Sequence, residues 1–307
     1  MNMMMGMPVM MNNMAGMLST AFNNSGTDQT DTNVDAFARL SYETDGDVTW
    51  YVGAARKTRS PSYQERYLWL PLEATGGLAD GKTYIGDPSL APEVAHELEV
   101  GLDYENARYG IYPRAFYKRV SDYIQGTPSR NMTANSFAQM MANMGMGRPD
   151  PLQFSNVSAR FYGFDVDSYF TLNEQFTLRA IVNVVRADRR DINDDLYRIA
   201  PDNLLIALDY QGNGWTGSIE SITYADQDRI AVTNLEQKTD GYSLLNVSAR
   251  AEVAAGIELS VGAENLLDED YLDHLAAYNR AFNPDIAPRA RMPGLGRNVY
   301  ARLMWNF

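Results

Sequence analysis

The residues best suited to chemistry in this chain are methionines, which are concentrated in two segments. Fourteen of the sixteen methionines lie within residues 1–17 or 132–146. Thioether sulfur is a soft ligand that suits Cu(I) and suits Mg, Ca or Mn poorly. Spacings of one to three residues would let several sulfurs converge on one ion. The candidate metal ligands are Met3, Met4, Met5, Met7, Met10, Met11, Met14, Met17, Met140, Met141, Met144 and Met146, with His274 as a possible imidazole ligand.

Two other roles fit the same methionines, namely an adaptable hydrophobic surface and a sink for oxidants. Gly, Asn and Pro residues separate the methionines, and residues 1–33 show no periodicity that identifies a helix or strand. We therefore predict flexible, exposed loops rather than a buried stripe, which favours metal binding. His96 begins a predicted strand beside Glu97, and we assign it a structural role.

Composition excludes several classes of function. The formal net charge of −13 argues against a nucleic-acid partner, since nucleic acids favour basic surfaces. The absence of cysteine excludes disulfides and thiolate metal sites. No apolar run approaches the roughly 18 residues of a membrane helix, and the amino terminus lacks the pattern of a secretory signal. No nucleophile motif, phosphate loop or zinc spacing occurs, so we predict that the protein is not an enzyme.

The last ten residues indicate which elements position these groups. Residues 298–307 alternate without a break, with Val299, Leu303 and Phe307 on one face. Ten residues exceed the roughly 5–6 of a typical soluble strand and match the roughly 9–11 of a membrane-spanning strand. The terminal aromatic, Phe307, is typical of outer-membrane β-barrels and resembles the signal that the barrel assembly machinery reads.

The same alternation recurs along the chain, with short and long connections in turn. This pattern predicts an all-β fold, an antiparallel transmembrane β-barrel with tight periplasmic turns and long extracellular loops. One strand face is apolar for lipid, and the other is charged or small for the lumen. The predicted strands are 34–42, 48–57, 96–104, 108–124, 157–172, 175–187, 202–210, 215–227, 242–253, 257–267 and 298–307.

The predicted number of strands, eleven, conflicts with the even number of most bacterial barrels. An open sheet in lipid would leave its edges unsatisfied. We therefore expect either a further strand within residues 1–33 or a chain that forms part of a larger barrel. Counting back from a periplasmic carboxyl terminus places both methionine-rich segments outside the cell, and favours the second explanation.

Three sequence elements resemble the TonB-dependent receptor family. The first is Arg59-Ser60-Pro61-Ser62-Tyr63-Gln64-Glu65-Arg66-Tyr67, like the family's Arg-x-Pro-Ser-x-x-Glu-x-Tyr. The second is Gly86-Asp87-Pro88-Ser89-Leu90-Ala91-Pro92-Glu93, in which Asp87 and Ala91 replace the commoner Asn and Lys. The third is Asn265-Leu266-Leu267-Asp268-Glu269-Asp270-Tyr271. The elements occur in the family's order, and the resemblance covers residues 34–307.

The resemblance implies the carboxyl-terminal half of a 22-stranded barrel in the outer membrane of a Gram-negative bacterium. Residues 1–33 would form an extracellular methionine-rich region, and residues 34–307 part of the barrel. The plug and the segment that contacts TonB have no counterpart here, so this chain would not transport alone. Implied partners are outer-membrane lipid, the TonB complex through the plug, and the assembly machinery through Phe307. Lumen-facing groups would contact the plug: Glu97, Glu99, Asp103, Arg250, Glu252, Glu258 and Glu264.

The methionine-rich segments resemble the copper-uptake members of that family, which use methionine and histidine outside the cell. We thus predict copper as the transported ligand, with no resident cofactor required. One alternative is a siderophore or another organometallic chelate, stacked on Tyr63, Tyr67, Trp69 and Tyr84. A passive porin-like barrel and a soluble β-sandwich are the remaining alternatives.

Overall fold

The fold is dominated by one antiparallel β-sheet. The computed structural model describes residues 2–44, 46–73, 78–281 and 285–305, with side chains from Val9 onward. Its helices are α1 (Asn2–Asn23), α2 (Tyr63–Tyr67), α3 (Met132–Asn143) and a 3-10 turn at Val232–Asn234. The strands are β1 (Ala36–Glu43), β2 (Val48–Arg59), β3 (Tyr84–Ile85), β4 (Glu93–Glu105), β5 (Tyr109–Pro128), β6 (Leu152–Thr171), β7 (Phe176–Arg189), β8 (Asn203–Gly212), β9 (Trp215–Tyr224), β10 (Tyr242–Ala254), β11 (Ile257–Glu264) and β12 (Asn298–Trp305).

The eleven predicted strands are confirmed, and each pairs with its neighbour in sequence. The sheet order runs from β1 through β2 and β4 to β12, while the two-residue β3 pairs in parallel with the start of β6. β5 and β6 are longer than predicted, at 20 residues each. Residue 307 lies outside the described residues, so the predicted role of Phe307 in assembly stays a prediction.

The two faces of the sheet differ as the alternation predicts. Along β4, Leu98 and Val100 are 60% and 50% exposed. Val100 lies in a cross-strand row with Val52 and Ala115. The opposite face of β4 carries Glu97 and Glu99. An apolar face that is largely exposed is the surface that a barrel presents to lipid.

Aromatic side chains lie on the apolar face at the end of the sheet where the connections between strands are short. Tyr104 and Tyr109 lie with their ring centroids 5.3 Å apart, and Tyr210 and Trp215 lie 4.2 Å apart. Membrane barrels carry such aromatic girdles at the lipid–water interface. The long connections all leave from the other end of the strands. They hold α2, α3 and the loops between β7 and β8, β9 and β10, and β11 and β12.

The prediction that the methionine-rich segments are flexible loops without periodicity is wrong, because both form helices. Methionine and alanine are good helix formers. In α1, Met11, Met14 and Leu18 recur at intervals of three and four residues, which is a helical period. In α3, the Asn131 side chain accepts a hydrogen bond from the Ala134 N–H at 3.0 Å and caps the helix start.

No strand is found within residues 2–33, so the odd strand count is not resolved by a hidden strand. Within the described part of the chain, β1 pairs only with β2, and β12 pairs only with β11. The sheet is therefore open at both edges. Among the helices that the structure describes, none is both long and apolar enough to cross a membrane.

Candidate metal- and ligand-binding region

The two methionine-rich segments, far apart in sequence, pack against each other as α1 and α3. Their contact is a hydrophobic cluster built on Met14, Leu18, Ala134 and Phe137, together with Ile85 of β3. We call this the methionine cluster. Partly buried residues that pack against it are Met11, Ala15, Trp69, Leu70, Met140 and Met141. The fold thus brings both groups of candidate ligands to one place through helix packing. From the sequence, we expected the sulfurs to converge only because the loops would be flexible.

The candidate methionines divide into buried and exposed groups. Met14 is 9% exposed, whereas Met10 and Met17 are 58% and 54% exposed. Met10, Met14 and Met17 follow one another at four and three residues, so they lie along one side of α1. Met144 and Met146 are also exposed, at the carboxyl end of α3. The side chains of Met3, Met4, Met5 and Met7 lie outside the described residues, although their backbone is part of α1.

A turn with two left-handed glycines positions the end of α3. The N–H groups of Met144 and Met146 both donate to the carbonyl of Met141, at 3.0 and 2.9 Å. Gly145 and Gly147 have φ angles of +79° and +70°, which side chains with a β-carbon rarely adopt. The chain therefore folds back at once, and Met144 and Met146 stay beside the helix.

His274 is held in a separate, buried site. Its Nδ1 lies 2.9 Å from Thr239 Oγ1 and its Nε2 lies 3.1 Å from Glu236 Oε1. Glu236 also accepts the Arg198 N–H at 2.9 Å and the Ala231 N–H at 2.8 Å. Both ring nitrogens are thus engaged, and a metal would have to displace Thr239 or Glu236. The structure does not bring His274 into the methionine cluster.

β3 separates the methionine cluster from a second feature, an aromatic cavity. Ile85 packs in the methionine cluster, while its neighbour Tyr84 packs on Phe154 with ring centroids 4.9 Å apart. The cavity has a volume of about 380 Å³. Its lining includes Ser62, Tyr63, Gln64, Glu65, Leu78, Tyr84, Tyr123, Ile124, Gln125, Gly126, Phe154, Tyr197 and Arg198. Such a size and mixture of aromatic and polar groups fit a small-molecule site.

A buried acid organises the wall of this cavity. Asp80 accepts hydrogen bonds from the hydroxyls of Tyr84 at 2.5 Å and Tyr197 at 2.9 Å. Burial, reinforced by the negative charge of Asp80, raises the pKa of both tyrosines. The ammonium of Lys82 lies 4.6 Å from the centre of the Tyr197 ring. It has no hydrogen-bond partner among the described residues, and its burial lowers its pKa to about 8.

Of the four aromatic residues predicted to stack on a chelate, Tyr63 and Tyr84 line the cavity. Tyr63 is 79% exposed and accessible, whereas Tyr84 is fully buried. Tyr67 instead packs against Phe22 and donates its hydroxyl to the Thr27 carbonyl. Trp69 packs against the methionine cluster. The sequence could not identify Phe154, Tyr197 or Arg198 as cavity residues, because β6 and the loop after β7 are distant in sequence.

The described residues contain no group of three or more histidine, aspartate or glutamate side chains placed to hold a metal ion.

Comparison with known proteins decides the family. A family described as "TonB dependent receptor-like, beta-barrel" matches residues 16–266. The chain belongs to the TonB-dependent receptor family. TonB-dependent receptors are transporters of the outer membrane of Gram-negative bacteria rather than enzymes, and the predictions of family, fold, location and lack of catalysis are confirmed. The porin-like and soluble-sandwich alternatives are thereby set aside.

Solved structures of the family share this fold. The copper transporter OprC superposes with a TM-score of 0.74 and 22% identity, over 90% of this chain and 40% of that one. The siderophore receptor PirA from Pseudomonas aeruginosa gives a TM-score of 0.60 and 16% identity, over 89% and 42%. The FrpB iron transporter from Neisseria meningitidis gives 0.63 and 12%, over 90% and 40%. The chain thus spans about 40% of the length of these receptors. A search of curated proteins finds no match.

Proposed function

We propose that the protein forms part of a TonB-dependent receptor that takes up copper, with thioethers of α1 and α3 as its first ligands. The observation that supports this is the packing of two methionine-rich helices against each other through Met14 and Phe137. Soft sulfur ligands favour Cu(I), and the described region offers no competing cluster of hard ligands. The similarity to a copper transporter, OprC, is consistent with this cargo.

Exposed methionines at the surface of the pair are suited to capture, because their sulfurs are accessible to incoming ions. Met10, Met17, Met144 and Met146 form this exposed group. The buried sulfur of Met14 lies between the helices and holds them together. We propose that the exposed sulfurs bind the ion and that the buried contact fixes their spacing. TonB, the plug and the proton-motive force would then drive transport, as the family implies.

The test is a Cu(I) titration of the receptor as the cell makes it, purified in detergent and assayed against a chromogenic Cu(I) chelator. The variant M10L/M17L/M144L/M146L keeps each side chain apolar and of similar volume and removes sulfur. We expect it to weaken Cu(I) binding by about tenfold or more, equivalent to about 1.4 kcal/mol. M292L is the matched control, because Met292 is exposed but lies outside both helices. Unchanged affinity in the fourfold variant would contradict the proposal.

A second candidate cargo, an organic metal chelate, is favoured by the aromatic cavity. Exposed Tyr63 and the guanidinium of Arg198 would stack on and pair with an anionic chelate. Similarity to the siderophore receptor PirA is consistent with this alternative. The variant Y63A separates the two candidates, since it should weaken binding of a ferric siderophore while leaving Cu(I) affinity unchanged. If the methionine variant left Cu(I) affinity unchanged while Y63A weakened siderophore binding, the result would favour the chelate.

A further inference from the structure

A row of basic side chains crosses the lipid-facing side of the sheet near its extracellular end. Backbone pairing places Arg56 opposite His96, His96 opposite Arg119, and Arg119 opposite Arg160. Residues directly opposite one another share a face of the sheet. This face is the apolar one, because Leu98 follows His96 by two residues on β4. Arg190, exposed at the end of β7, extends the row.

The height of the row matches the far interface of the membrane. Arg119 lies ten residues along β5 from Tyr109, which belongs to the aromatic girdle at the other end. At about 3.3 Å per residue and a tilt of roughly 40°, ten residues rise about 25 Å. That is about the height of the apolar band of an outer-membrane barrel. The guanidinium groups therefore lie level with the headgroups of the outer leaflet.

Most of the arginines in this row lack an acidic partner. Arg160 pairs with Asp188 at 2.9 Å. Arg119 instead donates to the Tyr117 hydroxyl at 2.9 Å, and Arg56 donates to the Val34 carbonyl. In the part of the chain that the structure describes, no carboxylate lies within 4 Å of the side-chain nitrogens of Arg56, Arg119 or Arg190. Guanidinium groups that are free of carboxylates can bind phosphate with two parallel hydrogen bonds.

An apolar groove adjoins the cations on the membrane side. Its floor contains Ala38, Ala54, Leu98 and Tyr117, and its upper rim contains Arg56, His96 and Arg119. Its volume is about 650 Å³. Glu97 also lines it but belongs to the opposite face of β4, where Lys118 lies across from it. The small side chains of Ala38 and Ala54 lie beside Leu98 and Tyr117 and leave a recess, so acyl chains could lie against it.

We propose that this groove and the basic row form a binding site for a phosphorylated glycolipid of the outer leaflet, that is, lipopolysaccharide. Phosphate groups bind Arg56 and Arg119, which have no carboxylate partner and rim the groove, and an acyl chain lies along Leu98 and Tyr117. Two arginines of the row each rest on an aromatic ring, since Arg119 Cζ lies 5.4 Å from the Tyr117 ring centre and Arg160 Cζ lies 5.3 Å from that of Tyr162. These contacts keep the guanidinium groups in place before the lipid binds. The site is separate from the copper ligands and does not depend on the proposed cargo.

The test measures the lipopolysaccharide that remains bound to the receptor after purification from outer membranes in detergent. The variant R56Q/R119Q is compared with K118Q. Lys118 is a neighbouring cation that packs over Phe161 on the lumen side. We expect the double variant to retain about tenfold less phosphorylated glycolipid than the parent, and K118Q to retain as much as the parent. Equal retention in the double variant, or equal loss in K118Q, would overturn the proposal.

A second measurement uses the unmodified receptor and so does not depend on the folding of any variant. The protein is exchanged into mixed micelles that contain lipid A with or without its phosphates, and bound lipid is counted by native mass spectrometry. We expect at least about tenfold preference for the phosphorylated form, lost at high salt. Equal binding of both forms would show that only the apolar groove is recognised and would overturn the role of the cations.

Discussion

Lys82 is a buried lysine whose surroundings lower its pKa. Its ammonium lies over the Tyr197 ring, near the carboxylate of Asp80, without a hydrogen-bond partner among the described residues. Burial lowers the pKa of Lys82 from 10.5 to about 8, and the nearby charge of Asp80 only partly opposes this effect. The folded protein therefore holds the Lys82 proton less tightly than the unfolded chain does.

This shift predicts a pH-dependent gain from removing the charge. Between about pH 8 and 10.5 the unfolded state binds more protons, so the stability of the parent rises with pH. We expect K82M to raise the unfolding temperature at pH 7 and the difference to shrink as the pH approaches 10.5. Loss of folded protein on heating, followed by electrophoretic mobility, measures it. K238M is the control, because Lys238 is exposed and paired with Asp228. A difference in unfolding temperature between K82M and the parent that stays constant across this pH range would contradict the account.

Exposure also divides the methionines in a way that their spacing only partly predicts. Met11, Met14 and Leu18 recur with a helical period that is visible in the sequence. Their burial depends on Phe137, which is more than 100 residues away along the chain. The candidate ligands could therefore be named from the sequence, but their division into buried and exposed groups could not.

At the level of elements, the α1–α3 pair depends on a small hydrophobic contact. Phe137 is 4% exposed and is the largest buried side chain of the methionine cluster. Replacing a buried Phe by Ala typically costs about 3–5 kcal/mol. We expect F137A to separate the two helices, so that limited proteolysis cuts within both α1 and α3 while the strands stay protected.

The control for that experiment is M132A, at the start of α3, because Met132 is 82% exposed. It should leave the cleavage pattern unchanged. If F137A is cut only in α3, or not at all, α1 is held by other contacts, and the proposed function of the pair as one unit is wrong.

The strands were more predictable than the helices for a physical reason. A strand in a barrel wall has lipid on one side and the lumen on the other, so its pattern depends on local alternation. The position at which a strand begins after a long connection depends instead on contacts with distant loops. β6 begins at Leu152, before the predicted residue 157. There Leu152 and Gln153 pair with β3, a contact that no local pattern indicates.

On the scale of the whole molecule, β1 and β12 are the two edge strands of the described sheet. β1 and β12 each have one partner strand in the described part of the chain. Unsatisfied backbone groups cost several kcal/mol each in lipid, so spanning sheets close or pair with further strands. The solved receptors that match are a little over twice as long as this chain.

We therefore expect residues 1–307, refolded alone in detergent micelles, to give no compact monomer that migrates faster before heating than after it. Exposed edges should instead pair between copies and produce oligomers. Size-exclusion chromatography and unheated gel electrophoresis test this. A compact monomer would contradict it and would indicate that β1 and β12 pair with each other.

The most direct test of the account concerns the atoms that bind the cargo. X-ray absorption at the copper edge, measured on the Cu(I)-loaded receptor, distinguishes sulfur from imidazole nitrogen ligands. We predict a shell of sulfur scatterers without the imidazole signature, lost in M10L/M17L/M144L/M146L and kept in M292L. A shell of nitrogen or oxygen, or a sulfur shell that persists in the fourfold variant, would contradict copper capture by the methionine helices.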